Sequence, residues 1–267
     1  MNKIISRVYL IFLLVILYLP IFYLILFAFN EGDNMGAFQG FSLGHFRDLF
    51  SDTRMISIVI NTMLIAILSS LIATIIGLFG ALFIDRLKSK RAANIYLSLN
   101  DVLLVSPDVI IGSSFLILFT VLGFSLGFMS VLLSHIAFSI PIVVLMILPR
   151  LQEMNKSMID AAQDLGATRI QAFNKVVLPF LLPSILTGFF MAFTYSLDDF
   201  AVTFFVTGNG FETLSVEVYS QARQGVNLEI NALSALIFGF SLIMIIIYYL
   251  LTVRNKKSVR VGKGRII

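Results

Sequence analysis

Three aspartates stand where carboxylates are costly. Asp108, Asp198 and Asp199 fall within long apolar runs that contain no lysine or arginine. An ionisable group in such a run marks, by default, a pathway or a pairing partner. Three carboxylates without a basic neighbour in any apolar run suit a cationic substrate. Asp108 follows Pro107, and a proline there frees a backbone carbonyl and bends a helix around a possible cavity. Asp198 and Asp199 are consecutive in Thr194-Tyr195-Ser196-Leu197-Asp198-Asp199-Phe200. Neighbouring residues point about 100° apart on a helix, so one can line a path while the other reaches a polar group. Structural alternatives stay open for the pair, among them capping a broken helix and bonding to Ser or Tyr of a partner chain. His135 reads as a packed or hydrogen-bonded residue and His45 as a loop residue. With two histidines and no cysteine, there is no thiolate or His-rich metal site and no nucleophile–base constellation of an enzyme.

A second group of residues is arranged for docking rather than chemistry. Asp160-Ala161-Ala162 begins a polar, Ala/Gly-bearing segment lodged between two hydrophobic runs. The alanines favour helix and admit a close neighbour, and Asp160 complements the positive end of the helix dipole. Gly166, followed by Ala167, is placed to take the left-handed conformation that ends one helix and starts the next. Ile170, Phe173 and Val177 recur at helical spacing, and Leu178-Pro179 marks the start of the following span, where proline suits a first turn. An ordinary amphipathic connector lying on the membrane surface is the plainer alternative.

The elements that must position these residues are membrane helices. Of 267 residues, 58% are hydrophobic and 13% charged, against roughly a quarter charged in globular domains. Six runs reach the roughly 20 residues a helix needs to cross a bilayer core: Val8–Phe29, Ser57–Ile84, Val102–Leu122, Phe128–Pro149, Phe180–Val206 and Asn231–Val253. The runs are continuous rather than alternating, which excludes a barrel. The expected fold is all-α and integral to the membrane, with six transmembrane helices. The first run follows Lys3 and Arg7 like a signal peptide, but its length and the lack of a small-residue cleavage site make it a retained helix.

Charge sets the orientation. Sixteen of the 19 basic residues lie near the N-terminus, at 86–91, at 150–175 and in the tail from Arg254, leaving Arg47, Arg54 and Arg223 for the opposite side. The positive-inside rule then places both termini and the Asp160 segment in the cytoplasm. The net charge of +4 needs no nucleic acid, because anionic lipid is a sufficient partner for the basic tail. No G-x-x-x-x-G-K-[ST] is present, so the chain has no P-loop for ATP.

The Asp160 segment resembles the EAA loop of ABC-importer permeases, in which E-A-A, three residues, Gly, nine residues and I-x-L-P follow one another. Asp160-Ala161-Ala162, Gly166, Val176 and Leu178-Pro179 keep that spacing, with Asp for Glu and Val for Ile. The resemblance implies the type I importer permease fold, with a coupling helix centred on Ala161–Gly166 resting in a cleft of a separate ATPase subunit. The core would run over 57–253, with the coupling loop at 150–179. Residues 1–56 would add a helix and an external loop, and 254–267 a basic cytoplasmic tail. It also implies two ATPase copies that hydrolyse ATP, a second permease chain, and no cofactor bound by this chain.

Ser106-Pro107-Asp108, Ser196-Leu197-Asp198-Asp199-Phe200, Phe205-Val206-Thr207-Gly208, the stretch from Thr213 to Ser220 and Asn231-Ala232-Leu233 resemble the C-type permease subunits of spermidine/putrescine importers. This implies a bacterial cell-membrane protein, a B-type permease partner and an extracytoplasmic polyamine-binding protein. It also implies that Asp108, Ser196, Asp198 and Asp199 belong to the polyamine path. An importer of the same fold for an anion, iron complex or other solute remains open, as does a secondary carrier working without ATP. The acidic bias of residues 30–56 and 207–230 could attract a polycation or a binding protein, but it is equally what remains once basic residues are confined inside. Glu212 to Gly225 is expected to form a short external helix with Leu214, Val218 and Ala222 on one side, bordered by Gly208, Gly210 and Gly225.

Overall fold

The computed structural model describes residues 3–32, 35–155, 157–224 and 228–239, with 242, 243 and 246. The chain forms two compact units, residues 1–56 with 220–267, and residues 57–219.

In the first unit, α1 (Lys3–Ala28) is a long apolar helix whose side chains are mostly exposed, as lipid-facing residues would be. Asn30 closes the turn that follows. Its Oδ1 accepts the Gln39 N–H at 2.7 Å and its Nδ2 donates to the Ala37 carbonyl at 3.2 Å. Asn30 and Phe41 make an antiparallel bridge before α2 (Gly44–Ser51). The apolar helix Leu228–Gly239 also belongs here.

The second unit carries most of α3 (Thr53–Arg86) and then α4 (Lys90–Val105), α5 (Asp108–Val121) and α6 (Phe128–Gln152). Two short helices follow, α7 (Ser157–Asp164) and α8 (Arg169–Ala172), then α9 (Leu178–Asp198), α10 (Ala201–Val206) and the first part of α11 (Leu214–Gln224). The central helix is α6, with residues such as Val131, His135, Phe138, Val143 and Ile147 buried along its length. One apolar cluster joins it to α3 and α9 through Ala81, Val144, Ile147 and Leu181. A second joins it to α3, α5 and α10 through Ile65, Ile111, Phe138 and Val202. Glycine permits two of these approaches. A Cβ on Gly77 would lie 2.6 Å from Val143 Cγ1, and one on Gly112 would lie 2.8 Å from Phe205 Cδ2 and 3.0 Å from Val202 Cα.

Four described helices are long and apolar enough to cross a membrane, namely Ile5–Ala28, Thr53–Arg86, Phe128–Gln152 and Arg169–Asp198. The third expected span is bent by 103° between α4 and α5, where Pro107 interrupts the helix, and would make a fifth crossing. The fifth expected span is not continuous to Val206, because α9 ends at Asp198 and α10 restarts at Ala201. α8 runs into α9 through a π-helical turn, Phe173–Val177, in which the Leu178 N–H bonds the Phe173 carbonyl. α9 opens at Leu178 with Pro179 in its first turn, as expected; Pro179 brings no N–H to the ladder, and the wider turn before it lets α8 run on into α9. The sixth expected span begins in Leu228–Gly239, and most of its remainder lies outside the described residues.

Candidate functional site: two helix breaks and a docking turn

Each of the two helix breaks carries an aspartate, and the breaks meet where α5 packs on α10 across Gly112. In the α9–α10 break Asp199 is buried, 8% exposed. Its carboxylate caps α10. Oδ1 accepts the Val202 N–H at 3.3 Å, and Oδ2 accepts the Thr203 N–H and the Thr203 hydroxyl, each at 2.8 Å. A carboxylate over exposed helix N–H groups is a strong, charge-assisted cap.

A chain of buried side chains extends from this cap. His135 Nε2 lies 2.8 Å from Thr203 Oγ1 and 3.5 Å from Asp199 Oδ2. His135 Nδ1 lies 2.7 Å from Ser196 Oγ, and Ser196 Oγ lies 3.0 Å from Ser69 Oγ. The donor count assigns the ring proton. Thr203 spends its hydrogen on Asp199, so it is Nε2–H that donates to Thr203. Four helices (α3, α6, α9 and α10) are thereby tied to one carboxylate, and bonds in such a chain polarise one another. The break is fastened further by the Ser130 hydroxyl, which donates to the Val206 carbonyl at 2.7 Å, and by Ser215, which donates to the Asp199 carbonyl.

Asp108 is treated differently. It opens α5 after Pro107 and is half-buried. The Tyr195 hydroxyl donates to its Oδ1 at 2.7 Å from α9. Tyr195 thereby ties α9, three residues before Asp198, to the carboxylate of the other break. Asp198, the last residue of α9, is exposed. The adjacent aspartates therefore divide, Asp198 outward and Asp199 into the protein with Ser196. Tyr195 was not singled out by the sequence reading. The available signal was a hydroxyl-bearing aromatic one helical turn before Asp198.

The Asp160 segment forms its own site. Asp160, Ala161 and Gly166 are exposed, and Ala162 and Ala167 half-buried. Gly166 has φ +86° with nothing near its Cβ position, the left-handed conformation expected of it. The Gly166 N–H bonds the Gln163 carbonyl and the Ala167 N–H the Ala162 carbonyl, the paired bonds of a Schellman stop. Thr168 and Gln171 then cap α8 reciprocally, at 3.3 and 2.9 Å. Around this turn Leu165 is 90% exposed and Ile170 73%, a costly display of apolar surface unless it is covered. Beneath it a cavity of about 540 Å³ is lined by Asp85, Arg86, Lys88, Asp160, Gln163 and Arg169 among others. In the stretch expected to be external, α11 forms within the expected range and Gly208 and Gly210 take positive φ. Its buried residue is Glu217, and Ala222 is exposed, because the Thr62 hydroxyl accepts the Leu214 N–H and fixes how the helix starts. Gly225 lies outside the described residues.

The bundle pairs broken spans with an exposed apolar turn, and its relatives define its class. Residues 73–260 match the binding-protein-dependent transport system inner membrane component family, and the chain belongs to it. It is a multi-pass membrane transport component rather than an enzyme. It is 35% identical over 241 residues to the spermidine/putrescine transport system permease protein PotC of Haemophilus influenzae, covering 90% of this chain and 93% of that one. It is 36% identical over 251 residues to the putrescine transport system permease protein PotI of Escherichia coli, covering 91% and 89%. A crystal structure of a bacterial ABC transporter involved in the import of the acidic polysaccharide alginate superimposes with TM-score 0.69 at 18% identity, covering 95% of this chain and 98% of that one. The fold is that of an ABC importer permease.

Proposed function

We propose that this chain is the transmembrane permease subunit of an ATP-driven polyamine importer, supplying half of the translocation path and working by alternating access. The fold alone leaves the cargo open, since the alginate transporter that shares it imports an acidic polysaccharide. What carries the polyamine reading is Asp108 and Asp198 standing at two adjacent helix breaks, with no lysine or arginine in any of the six apolar runs, in a chain 35% identical to a spermidine/putrescine permease. Polyamines bear several ammonium groups, and carboxylates left with free acceptor capacity are their natural partners. In this reading Asp108 and Asp198 face cargo, whereas Asp199 and Ser196 hold the α9–α10 break in register.

The α7–Gly166–α8 turn is the docking element for a separate ATPase, with Leu165 and Ile170 as its apolar knobs and Asp160, Ala161, Ala162 and Ala167 as its close-approach surface. The partners are two ATPase copies, which hydrolyse the ATP, a second permease chain of B type and an extracytoplasmic polyamine-binding protein. Both termini lie in the cytoplasm of a bacterial cell, where the tail from residue 254 meets anionic lipid. The core spans 57–253, and residues 1–56 add a helix and an external loop. Labelled spermidine uptake in cells lacking this gene, restored with the gene and its neighbouring subunits, tests the proposal. Energy-dependent uptake that putrescine competes away is expected. No restored uptake at normal membrane abundance overturns the cargo assignment.

A further inference from the structure

Tyr195 occupies an unusual position among acids. Its hydroxyl, on α9, reaches Asp108 Oδ1 at 2.7 Å on α5. Its ring stands edge-on to Phe138 of α6, with centroids 4.9 Å apart and an interplanar angle of 82°. Phe138 in turn packs on the His135 ring at 4.8 Å. The phenol is thus fixed from one side by the aromatic stack and from the other by the carboxylate. The chemistry of the donor matters. A lysine or arginine here would orient Asp108 but cancel its charge and repel a cation. A phenol orients one oxygen through a charge-assisted bond and leaves the carboxylate an anion, with Oδ2 still able to accept. Asp199 shows the opposite case, its oxygens occupied by Val202, Thr203 and the His135 side.

We propose that Tyr195 is a positioning residue for cation binding, holding the Asp108 carboxylate in one orientation so that its free oxygen can receive an ammonium group of the cargo. The proposal rests on the polyamine reading above and names the residue that tunes that site. Preorganising a binding group removes a cost that the ligand would otherwise bear. Tyr195→Phe keeps the ring and its packing and removes only the hydroxyl.

The test is a double-mutant cycle on the assembled transporter with its ATPase, second permease and binding protein in proteoliposomes. KM and Vmax for labelled spermidine are measured at equal reconstituted amounts for wild type, Y195F, D108N and Y195F/D108N. The expected result is a KM raised about five- to tenfold by Y195F with Vmax within about twofold, and no further rise when Y195F is added to D108N. Tyr195→Met, a second way of removing the hydroxyl, gives the same pattern should Y195F reconstitute poorly. An unchanged KM in Y195F overturns the proposal. So does an equal added loss in the D108N background, which would mark Tyr195 as packing alone. A wild-type transporter that carries no polyamine overturns the cargo reading and this proposal together, so the two failures are told apart by the wild-type lane.

Discussion

The two helix breaks use the same residue type for opposite ends. In the α9–α10 break, Asp199 is turned inward and its acceptors are filled by α10 N–H groups, the Thr203 hydroxyl and the neighbouring His135. In the α4–α5 break, Pro107 makes the bend of 103°, so Asp108 need not be used up in making it. One phenol orients Asp108 and leaves it half-exposed. A carboxylate that builds the break is spent on structure, whereas one placed beside a break made by proline is free for a ligand. Asp198 sits next to the first kind and behaves like the second, because the neighbour that follows it has taken the capping role.

That contrast can be broken at either end. The largest effect is expected from Asp199→Ala, which removes three charge-assisted bonds and strands the Val202 and Thr203 donors. Loss of about 3–5 kcal/mol is expected, read as a large fall in thermal midpoint in detergent or loss of folded protein from the membrane. Gly112→Ala places a methyl group against Phe205 and Val202 where α5 meets α10. Overpacking there should cost about 1–3 kcal/mol and disturb both breaks together, lowering the midpoint and uptake in parallel. Thr203→Val removes the hydroxyl that links His135 to Asp199 and should cost about 1–2 kcal/mol, with Thr203→Ser near wild type in the same melt. The smallest stability effect belongs to Asp198→Asn, within about 0.5 kcal/mol as for other exposed sites, even though its transport defect should be among the strongest.

The sequence makes some of this contrast legible and hides the rest for a physical reason. Continuous apolar runs announce helices such as Thr53–Arg86 and Phe128–Gln152, because a span states its own requirement residue by residue. Pro107 and Gly166 are equally local: a missing N–H bends a helix, and a left-handed φ calls for glycine. The break after Asp198 carries neither proline nor glycine. It is made by a cap whose support comes from His135 and Ser69, 64 and 130 residues away in sequence. Helical geometry says that Asp198 and Asp199 must diverge, but only the packing of α3, α6 and α10 decides which turns inward. The same holds for Tyr195, whose partner Asp108 is separated from it by 87 residues.

The central claim is that the adjacent aspartates have separate jobs. It is tested most directly by measuring, for Asp198→Asn and Asp199→Asn side by side, the thermal midpoint of the purified permease complex and the spermidine KM per folded transporter. The expected result is a crossed pattern: Asp198→Asn raises KM about tenfold or more, the factor that 1.4 kcal/mol of lost binding would produce, at an unchanged midpoint, while Asp199→Asn lowers the midpoint and leaves KM near wild type. An Asp199→Asn protein that melts normally and binds cargo poorly, or an Asp198→Asn protein with wild-type KM, would contradict it.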